Sequence, residues 1–349
     1  MDISVVIVTR NRARYLAGAL LALSQNDAAD INFEIIVADN GSSDSTPDIC
    51  ETYQKLFPNF RSLYDGRPGQ IVGWHQSLAL AQGEVICFID DDTRPSPGWL
   101  NGVKDVFSDP DVGLATGKIT PEFETEAPEW RKDMILQHDG GIWSAQWGLL
   151  DFGSEVRDIE AAFVWGRNFL VRRSVMVEAG GFHPGGMPAH LFHFTGDGDM
   201  GAGEAVERLG LKVRYHPGAM VTNVFQKHQN DEAEIRRWIY GEGLVTSYIL
   251  MRELSARNPD TPAAELDGHV SSAISEHQLD TIGHGYLSSF TDLPDNLIEI
   301  FKTEGRRGFD NHQKYFKNDS LFRDWVLRPH YLDIDACYNH PDLVPGKEW

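Results

Sequence analysis

The sequence predicts an α/β fold: a doubly wound, mostly parallel sheet flanked by helices. Four apolar runs recur in the first third of the chain: ISVVIVT at 3–9, FEIIVAD at 33–39, VICFID at 85–90 and VGLATG at 112–117. Unbroken runs of this kind are typical of parallel strands that are buried on both faces. Helical patterns separate them, so strands and helices alternate as they do in a doubly wound sheet.

Helices are predicted between these strands and near the other end of the chain. After the first strand, with Asn11 as the expected N-terminal cap, apolar residues recur at helical spacing: Tyr15, Leu16, Ala19, Leu20 and Leu23. Residues 46–48 (Thr-Pro-Asp) indicate a helix start, because proline fits the first helical position and an acidic residue favours the first turn. Residues 231–260 predict a helix that breaks near 241–243 and stops at Asn258.

Charge and cysteine content limit the partners of the chain. Acidic residues outnumber basic ones by 52 to 31, a formal charge of -21 over 349 residues. We therefore expect no nucleic-acid partner, and an anionic substrate would need a metal ion or a local basic pocket. No apolar window is long enough to predict an integral membrane segment. Cys50, Cys87 and Cys337 have neither disulfide nor metal spacing, which favours reduced thiols and a cytoplasmic location.

Polar residues gather where the predicted strands end. The first strand leads into TRNR (9–12), the second into DNGSSD (39–44), and the third into three consecutive aspartates, 90–92. Ligands of doubly wound sheets bind beyond the carboxyl ends of the strands, so these segments are candidate binding residues. The chain has no GxGxxG after its first strand and no GxxxxGK[ST], which argues against the usual dinucleotide and P-loop sites.

Five ordered segments resemble family 2 glycosyltransferases with the GT-A fold. They are SVVIVTRNRARYLAGALLAL, FEIIVADNGSSDST, LALAQGEVICFIDDDTRPSPGWL, GRNFLVRRSVMVEAGGF and LGLKVRYHPGAMV, and together they span about residues 3–225. The resemblance implies a GT-A, Rossmann-like fold. It also implies an enzyme that transfers a sugar from a nucleoside diphosphate donor, with UDP favoured, to an acceptor hydroxyl or amine. Such a reaction usually inverts the anomeric carbon and uses a divalent metal ion.

The resemblance gives each of the three aspartates a role. Asp92 is the expected ligand of Mn²⁺ or Mg²⁺ and Asp90 its partner, because hard carboxylates suit these cations and a cation offsets their mutual repulsion. The expected nucleotide-binding residues are Thr9, Arg12, Asp39 and Asp91. An acidic helix cap is the alternative for the aspartates, and ordinary turn chemistry is the alternative for Asp39.

The resemblance also implies a general base and a third metal ligand. Asp197 matches the base that would take the acceptor proton, and Asp199 is the reserve because the glycines of FTGDGDMGAG leave the register open. His228 is the predicted third metal ligand, although the register itself puts Asn223 at the position where relatives often have histidine. A plain turn is the alternative for Asp197 and Asp199, and a surface position is the alternative for His228.

Two further segments are expected around the substrates. FVWGRNFLVRR (163–173) resembles the strand beneath the donor sugar, and Trp165, Gly166 and Asn168 are expected to shape the donor and acceptor pocket. Residues 127–153 form an expected acceptor-side loop whose tryptophans line the acceptor groove or only cover the sheet: Trp130, Trp143 and Trp147.

One segment departs from the family pattern. Residues 73–77 read GWHQS, where relatives often carry an arginine that contacts the donor. The identity of the nucleotide base therefore stays open. Trp74 or His75 could instead stack on the donor, or Trp74 could only pack a helix against the sheet.

The resemblance divides the chain into three parts. Residues 1–118 form the expected nucleotide-sugar half and 119–225 the metal and acceptor half of one GT-A domain; 226–349 form a mainly helical extension that covers the acceptor or makes a homodimer. A soluble acceptor is expected. The alternatives are a sugar-1-phosphate nucleotidyltransferase, which normally has a glycine-rich loop after its first strand, and a non-catalytic carbohydrate- or nucleotide-binding module.

Overall fold

A computed structural model describes residues 1–128, 134–275, 278–279 and 295–343. Trp130 lies outside these described residues. Within them a twelve-stranded sheet forms the centre of the molecule. Its strands are β1 (Ile3–Thr9), β2 (Phe33–Asp39), β3 (Phe60–Tyr64), β4 (Val85–Asp90), β5 (Thr93–Pro95), β6 (Val112–Phe123), β7 (Leu136–His138), β8 (Gly141–Ser144), β9 (Leu149–Asp151), β10 (Arg157–Asp158), β11 (Phe169–Arg172) and β12 (Lys212–Phe225).

Helices cover both faces of this sheet. In the described residues they are α1 (Ala13–Ser24), α2 (Thr46–Gln54), α3 (Gln70–Leu80), α4 (Trp99–Val106), α5 (Arg173–Glu178), α6 (Gly198–Arg208), α7 (Glu232–Arg257), α8 (Val270–Ala273), α9 (Asp295–Asn318), α10 (Ser320–Val326) and α11 (Ile334–Cys337). No helix of the described residues is long and apolar enough to cross a membrane.

The sheet confirms the predicted doubly wound, mostly parallel core. Its central order is β3-β2-β1-β4-β11-β6, followed by β12 beside β6. The first four of these strands are parallel, and β11 lies antiparallel between β4 and β6. The register pairs Thr9 with Asp39 and Val8 with Asp90, so the polar ends of three strands meet at one edge. The fourth predicted strand is longer than expected, because β6 continues to Phe123.

Helix α1 begins one residue later than the sequence predicts. Arg12, not Asn11, is its N-cap residue, and Asn11 has a positive φ of 52°. The Asn11 side chain instead accepts a hydrogen bond from the backbone N–H of Ser43 at 2.7 Å, and Asp44 accepts one from the N–H of Ala13 at 3.0 Å. The loop after β2 therefore caps α1 and fixes the position of its N-cap residue, Arg12.

Helix α7 is continuous, so the break predicted near 241–243 is wrong. Gly243 faces α9 at a point where any Cβ atom would overlap the backbone of Gly305. Gly308 of α9 approaches the backbone of Tyr240 in the same way. These glycines allow two helix backbones to touch, which outweighs the loss of helix propensity in α7. The predicted stop is confirmed, because Asn258 is the C-cap residue.

The described part of the C-terminal extension shares a core with the sheet. Phe322 and Trp325 belong to the same buried apolar cluster as Val6 of β1 and Ile36 of β2. The Trp325 indole N–H also donates to the carbonyl of Phe194 at 3.0 Å. The opposite face of the sheet forms a second cluster with α1, α2 and α4. The extension is thus packed onto the sheet face that also holds α3 and α6.

Candidate active site

The three aspartates lie at the carboxyl end of β4, and two of them share one arginine. Asp91 and Asp92 are buried. The Nε atom of Arg12 is 2.9 Å from Asp91 Oδ1, and its Nη2 atom forms an ion pair with Asp92. Thr9 donates a hydrogen bond to Asp91 Oδ2 at 2.7 Å. The late start of α1 therefore places one guanidinium between two of the three carboxylates and offsets part of their repulsion.

The remaining repulsion shows in the pKa values of this cluster. Burial raises the pKa of Asp90 to about 6, and the nearby charge of Asp92 adds to the effect. Burial also raises the pKa of Asp91 to about 7, although the positive charge of Arg12 acts in the opposite direction. Burial and mutual repulsion thus both disfavour the charged form of these carboxylates, and a bound cation would offset both costs.

A cavity of about 450 Å³ opens beside the aspartates. It is lined by Val8, Thr9, Arg10, Arg12, Asn40, Gln70, Asp90, Asp91, Asp92, Gly186, Met187, Pro188 and Arg237. The cavity combines carboxylates with three arginines, one of which comes from α7. Its size and its mixed charge suit a nucleoside diphosphate with an accompanying cation.

Asp39 lies next to this cavity and does not line it. Its Oδ1 atom accepts the backbone N–H of Ser42 at 2.8 Å, which is the turn chemistry considered as its alternative. Its neighbour Asn40 lines the cavity and donates to the carbonyls of Asp65 and Arg67 at 3.0 and 2.7 Å. The position of Asn40 directly after an apolar strand was the signal in the sequence that could have identified it.

A second cavity, of about 310 Å³, lies on the other side of Asp90. Its lining residues are Gln70, Trp74, Asp90, Gly166, Arg167, Gly185, Gly186, Gly196, Asp197, Gly198, Asp199, Met200, Glu242 and Val245. Gln70, Asp90 and Gly186 line both cavities. The Gln70 side chain also donates to Asp90 Oδ1 at 3.3 Å. Sequence reasoning missed Gln70, Arg167, Arg237 and Glu242, because no motif marks them.

Asp197 and Asp199 both line the second cavity but have different partners. Asp197 is the N-cap residue of α6, and its carboxylate pairs with Nδ1 of His183. Asp199, in the first turn of α6, accepts hydrogen bonds from the backbone N–H groups of Gly166 and, at 3.1 Å, Met200. Burial raises the pKa of Asp199. Asp199 therefore faces the aspartate cluster, whereas Asp197 is held by a histidine.

Gly166 lies between the carboxylates of Asp90 and Asp199. A Cβ atom on Gly166 would lie 3.3 Å from Asp199 Oδ2 and 3.9 Å from Asp90 Oδ1, so these oxygens are at most about 7 Å apart. Of the other predicted pocket residues, Trp165 is buried, with its indole N–H on the carbonyl of Ala162. Asn168 is also fully buried and bridges Trp99 and Ala219. Trp165 and Asn168 thus support the pocket without lining either cavity.

The predicted third metal ligand, His228, is exposed in the short helix Lys227–Asn230. The neighbour that contacts the cluster is Gln226, which donates to Asp92 Oδ2 at 3.1 Å. Asn223 is buried, and its Oδ1 atom has no hydrogen-bond partner within the described residues. All the described residues together contain no cluster of three or more His, Cys, Asp or Glu side chains that could hold a metal ion.

These residues still fit Mg²⁺ or Mn²⁺. Mg²⁺ is commonly bound through one or two carboxylates together with substrate phosphates and water, so an all-protein cage is not required. Asp90 and Asp92 supply two carboxylates on the rim of the first cavity. Burial is the larger cause of the raised pKa of Asp90 and the charge of Asp92 the smaller, and a cation bound between the two carboxylates would offset both.

His75 and Trp74 serve the packing of the extension. His75 is buried, accepts the N–H of Phe182 at 2.8 Å, and contacts the carbonyl of Tyr331 through Nδ1 at 2.6 Å. Both ring nitrogens are used, and the buried His75 ring lines neither cavity, so it is not placed to stack on a donor there. Trp74 packs on Phe182 with ring centroids 4.4 Å apart and also lines the second cavity. Of the predicted acceptor-side tryptophans, Trp147 is buried and packs on Phe123, and Trp143 packs on Phe163.

The doubly wound sheet places a carboxylate cluster between two cavities, and sequence comparison identifies the family to which the chain belongs. The model of glycosyl transferase family 2 matches residues 4–179, half of the chain. The protein therefore belongs to glycosyl transferase family 2, as the sequence resemblance predicts.

Curated relatives agree with this assignment. An uncharacterized glycosyltransferase of Nostoc sp. is 29% identical over 155 residues, which cover 41% of this chain and 48% of the relative. A pre-mycofactocin glycosyltransferase of Mycobacterium tuberculosis is 24% identical over 273 residues, covering 75% and 49%. The chain thus spans about half the length of these curated relatives.

Solved structures confirm the GT-A fold. A mannosyltransferase from Pyrobaculum calidifontis, in complex with GDP-Man and Mn²⁺, has a TM-score of 0.52 at 14% identity and covers 91% of this chain and 88% of its own. TarS residues 1–349 of S. aureus, in complex with UDP-GlcNAc, has a TM-score of 0.50 at 14% identity, with coverage of 91% and 92%. At this identity the similarity shows the fold alone.

Proposed function

We propose that the protein transfers a sugar from a nucleoside diphosphate donor, with UDP favoured, to a hydroxyl or amine of a soluble acceptor, with inversion at the anomeric carbon. The observation that carries this proposal is that Asp90 lines both cavities. A donor in the first cavity would have its anomeric carbon near Asp90, where it can be reached by a nucleophile from the second. The complexes of the structural neighbours with GDP-Man and UDP-GlcNAc support a nucleotide-sugar donor.

The first cavity offers the contacts that a donor diphosphate needs. Arg10, Arg12 and Arg237 provide positive charge, and Thr9 and Asn40 provide polar contacts for the nucleoside. Arg12 is already paired with Asp91 and Asp92, so it would orient the carboxylates as well as meet the donor. Asp39 would act indirectly, by holding the turn that presents Asn40 to the cavity.

Asp92 and Asp90 would hold a divalent cation, Mn²⁺ or Mg²⁺. Gln226 would fix the orientation of the Asp92 carboxylate, and His228 stays a predicted ligand that would have to turn inward from the surface. When bound, such a cation neutralises the charge that develops on a departing diphosphate. The Mn²⁺ in the mannosyltransferase neighbour supports this choice of metal.

Asp199 is the stronger candidate for the general base, and Asp197 the weaker. The Asp199 carboxylate faces Gly166 and Asp90, whereas His183 occupies that of Asp197. Asp199 would take the proton of the acceptor O–H or N–H as the acceptor atom forms its bond to the anomeric carbon. The bond from that carbon to the diphosphate oxygen then breaks, and the nucleoside diphosphate leaves with the bonding electrons. A single displacement of this kind inverts the anomeric centre.

The three proposed parts of the chain fit these roles. Residues 1–118 would bind the nucleotide, 119–225 would supply the base and the sugar pocket, and 226–349 would cover the acceptor. Arg237, Glu242 and Val245 of α7 support this role of the extension, since they line the cavities. A homodimer through the extension stays a prediction. The three buried free cysteines support the proposed cytoplasmic location.

Thermal unfolding with nucleotides tests the donor site. UDP with Mn²⁺ should raise the melting temperature more than UDP alone, and more than GDP or dTDP with Mn²⁺, because a ligand that binds only the folded state stabilises it. Asp92→Ala should remove the dependence on Mn²⁺. Stabilisation that is equal with and without Mn²⁺ in the wild-type protein would contradict the metal site.

A paired substitution tests the base. We expect Asp199→Asn to lower kcat by about 10²- to 10⁴-fold while leaving the affinity for UDP and Mn²⁺ unchanged, because only proton transfer is lost. Asp197→Asn should have a smaller effect on kcat. If Asp197→Asn instead abolished transfer and Asp199→Asn did not, the assignment would revert to Asp197.

A further inference from the structure

The second cavity has one wall that comes from the C-terminal extension. Glu242 and Val245 of α7 face Asp199 and Gly166 across a space of about 310 Å³. Trp74 and Met200 add apolar surface to this space, and several glycines keep it open. If the donor binds in the first cavity, the second is the place where the acceptor must enter. The chemistry of its wall then selects the acceptor.

Glu242 is fixed in place and stays available to a ligand. The indole N–H of Trp238, one helical turn earlier, donates to its Oε1 atom at 2.9 Å, and the Glu242 carboxylate has no other hydrogen-bond partner among the described residues. Burial raises the pKa of Glu242, with the hydrogen bond from Trp238 opposing it. A half-buried carboxylate with a single N–H partner gains from a further donor, so a hydroxyl or amine that reached it would be held by a hydrogen bond.

Charge in this cavity is one-sided. Besides Asp90, whose charge the proposed cation would offset, three of its side chains are carboxylates, Asp197, Asp199 and Glu242, and Arg167 is its one cation among the described residues. Arg167 is itself bonded to the carbonyl of Ala145 at 3.1 Å. A phosphate or carboxylate placed here would meet like charges, which repel it.

We infer that Glu242 is an acceptor-binding residue, and that the acceptor is neutral or cationic around its nucleophile, donating a hydroxyl or amine hydrogen to Glu242. Acceptors whose reacting region carries a phosphate are excluded by the same wall. The inference rests on the proposed function, since it takes the first cavity to be the donor site.

Two methionines of the chain can report on the two cavities separately. Met187 lines the first and Met200 the second. With ¹³C-methyl methionine, UDP and Mn²⁺ should shift the Met187 signal, which tests the donor site. With UDP and Mn²⁺ saturating, three probes are added in turn and the Met200 signal is followed. The probes are methyl β-D-glucopyranoside, its 2-amino-2-deoxy analogue and glucose 1-phosphate.

The neutral and amino glycosides should shift Met200, and glucose 1-phosphate should bind at least about tenfold more weakly. Glu242→Gln keeps the size and the carbonyl acceptor for Trp238, and it should weaken both glycosides about tenfold or more, the amine most. The matched control is Glu253→Gln, an exposed residue of the same helix paired with Arg257 at 2.8 Å, which should change nothing. Unchanged melting temperatures of both variants would show that they fold.

The inference fails if glucose 1-phosphate shifts Met200 as readily as the neutral probe does, or if Glu242→Gln binds all probes like the wild-type protein. It also fails if neither glycoside shifts Met200 at concentrations up to about 50 mM, since any millimolar site would be filled there. A missing Met187 response to UDP and Mn²⁺ would overturn the proposed function itself, so the two failures are distinguishable.

Discussion

Substituting His75 by leucine should destabilise the protein by an amount that depends on pH. The change leaves the Phe182 N–H and the Tyr331 carbonyl buried without their partner. An unsatisfied buried backbone group costs about 1 to 3 kcal/mol, so we expect a loss of about 4 kcal/mol in the free energy of unfolding at pH 8.

The pH dependence follows from the pKa of His75, which burial lowers from 6.5 to about 4. The unfolded chain takes up a proton at this residue below pH 6.5, whereas the folded protein does so only near pH 4. The contribution of His75 to the free energy of unfolding is therefore complete above pH 6.5 and is lost as the pH falls towards 4. At pH 5 the loss is about 2 kcal/mol. Leucine cannot titrate, so the destabilisation by His75→Leu should shrink to about 2 kcal/mol at pH 5.

Urea unfolding followed by tryptophan fluorescence, at pH 8 and pH 5, measures both quantities. His269→Leu, an exposed residue at the end of the short helix Ala263–His269, is the control and should change stability by less than about 0.5 kcal/mol at either pH. An equal destabilisation by His75→Leu at the two pH values would refute the reasoning, because it would mean that the folded protein protonates His75 as readily as the unfolded chain does.

Two further substitutions test the geometry around the aspartates. Gly166→Ala should lower kcat at least about tenfold and leave UDP binding intact, because its Cβ would lie 3.3 Å from Asp199 Oδ2 and displace the carboxylate; an unchanged kcat would contradict this. Gln226→Leu should weaken Mn²⁺ binding in the presence of UDP about 10- to 100-fold by calorimetry, because Asp92 loses its bond of 3.1 Å. Wild-type Mn²⁺ affinity would show that Gln226 does not orient Asp92.

Much of the fold could be predicted because its strands are buried on both faces. The runs at 3–9, 33–39 and 85–90 coincide with β1, β2 and β4, since most of their positions are buried and apolar. The three aspartates were equally visible, because such a cluster directly after a buried strand needs a physical reason. In both cases the signal was local in the sequence.

Other parts of the site depend on contacts between distant segments. The roles of Asp197 and Asp199 depend on Gly198, whose positive φ of 54° turns the chain between them, and a sequence of glycines and aspartates does not reveal that angle. Glu242 lies 152 positions beyond Asp90 in the chain. The face of α7 on which Glu242 lies could not be predicted from the spacing of apolar residues. The buried positions of this helix include small residues, such as Gly241 and Gly243, as well as apolar ones.

The glycine contact between α7 and α9 has a consequence for substrate choice. Adjacent residues of a helix point about 100° apart around its axis, and Glu242 is adjacent to Gly243. Since Gly243 must face the backbone of Gly305, α7 cannot turn about its own axis without steric overlap. The direction in which Glu242 points is thereby set by a contact about 100° away from it around the helix axis. A methyl group added at Gly243 would rotate the carboxylate away from the acceptor, so a position that touches no substrate would decide which molecules are glycosylated.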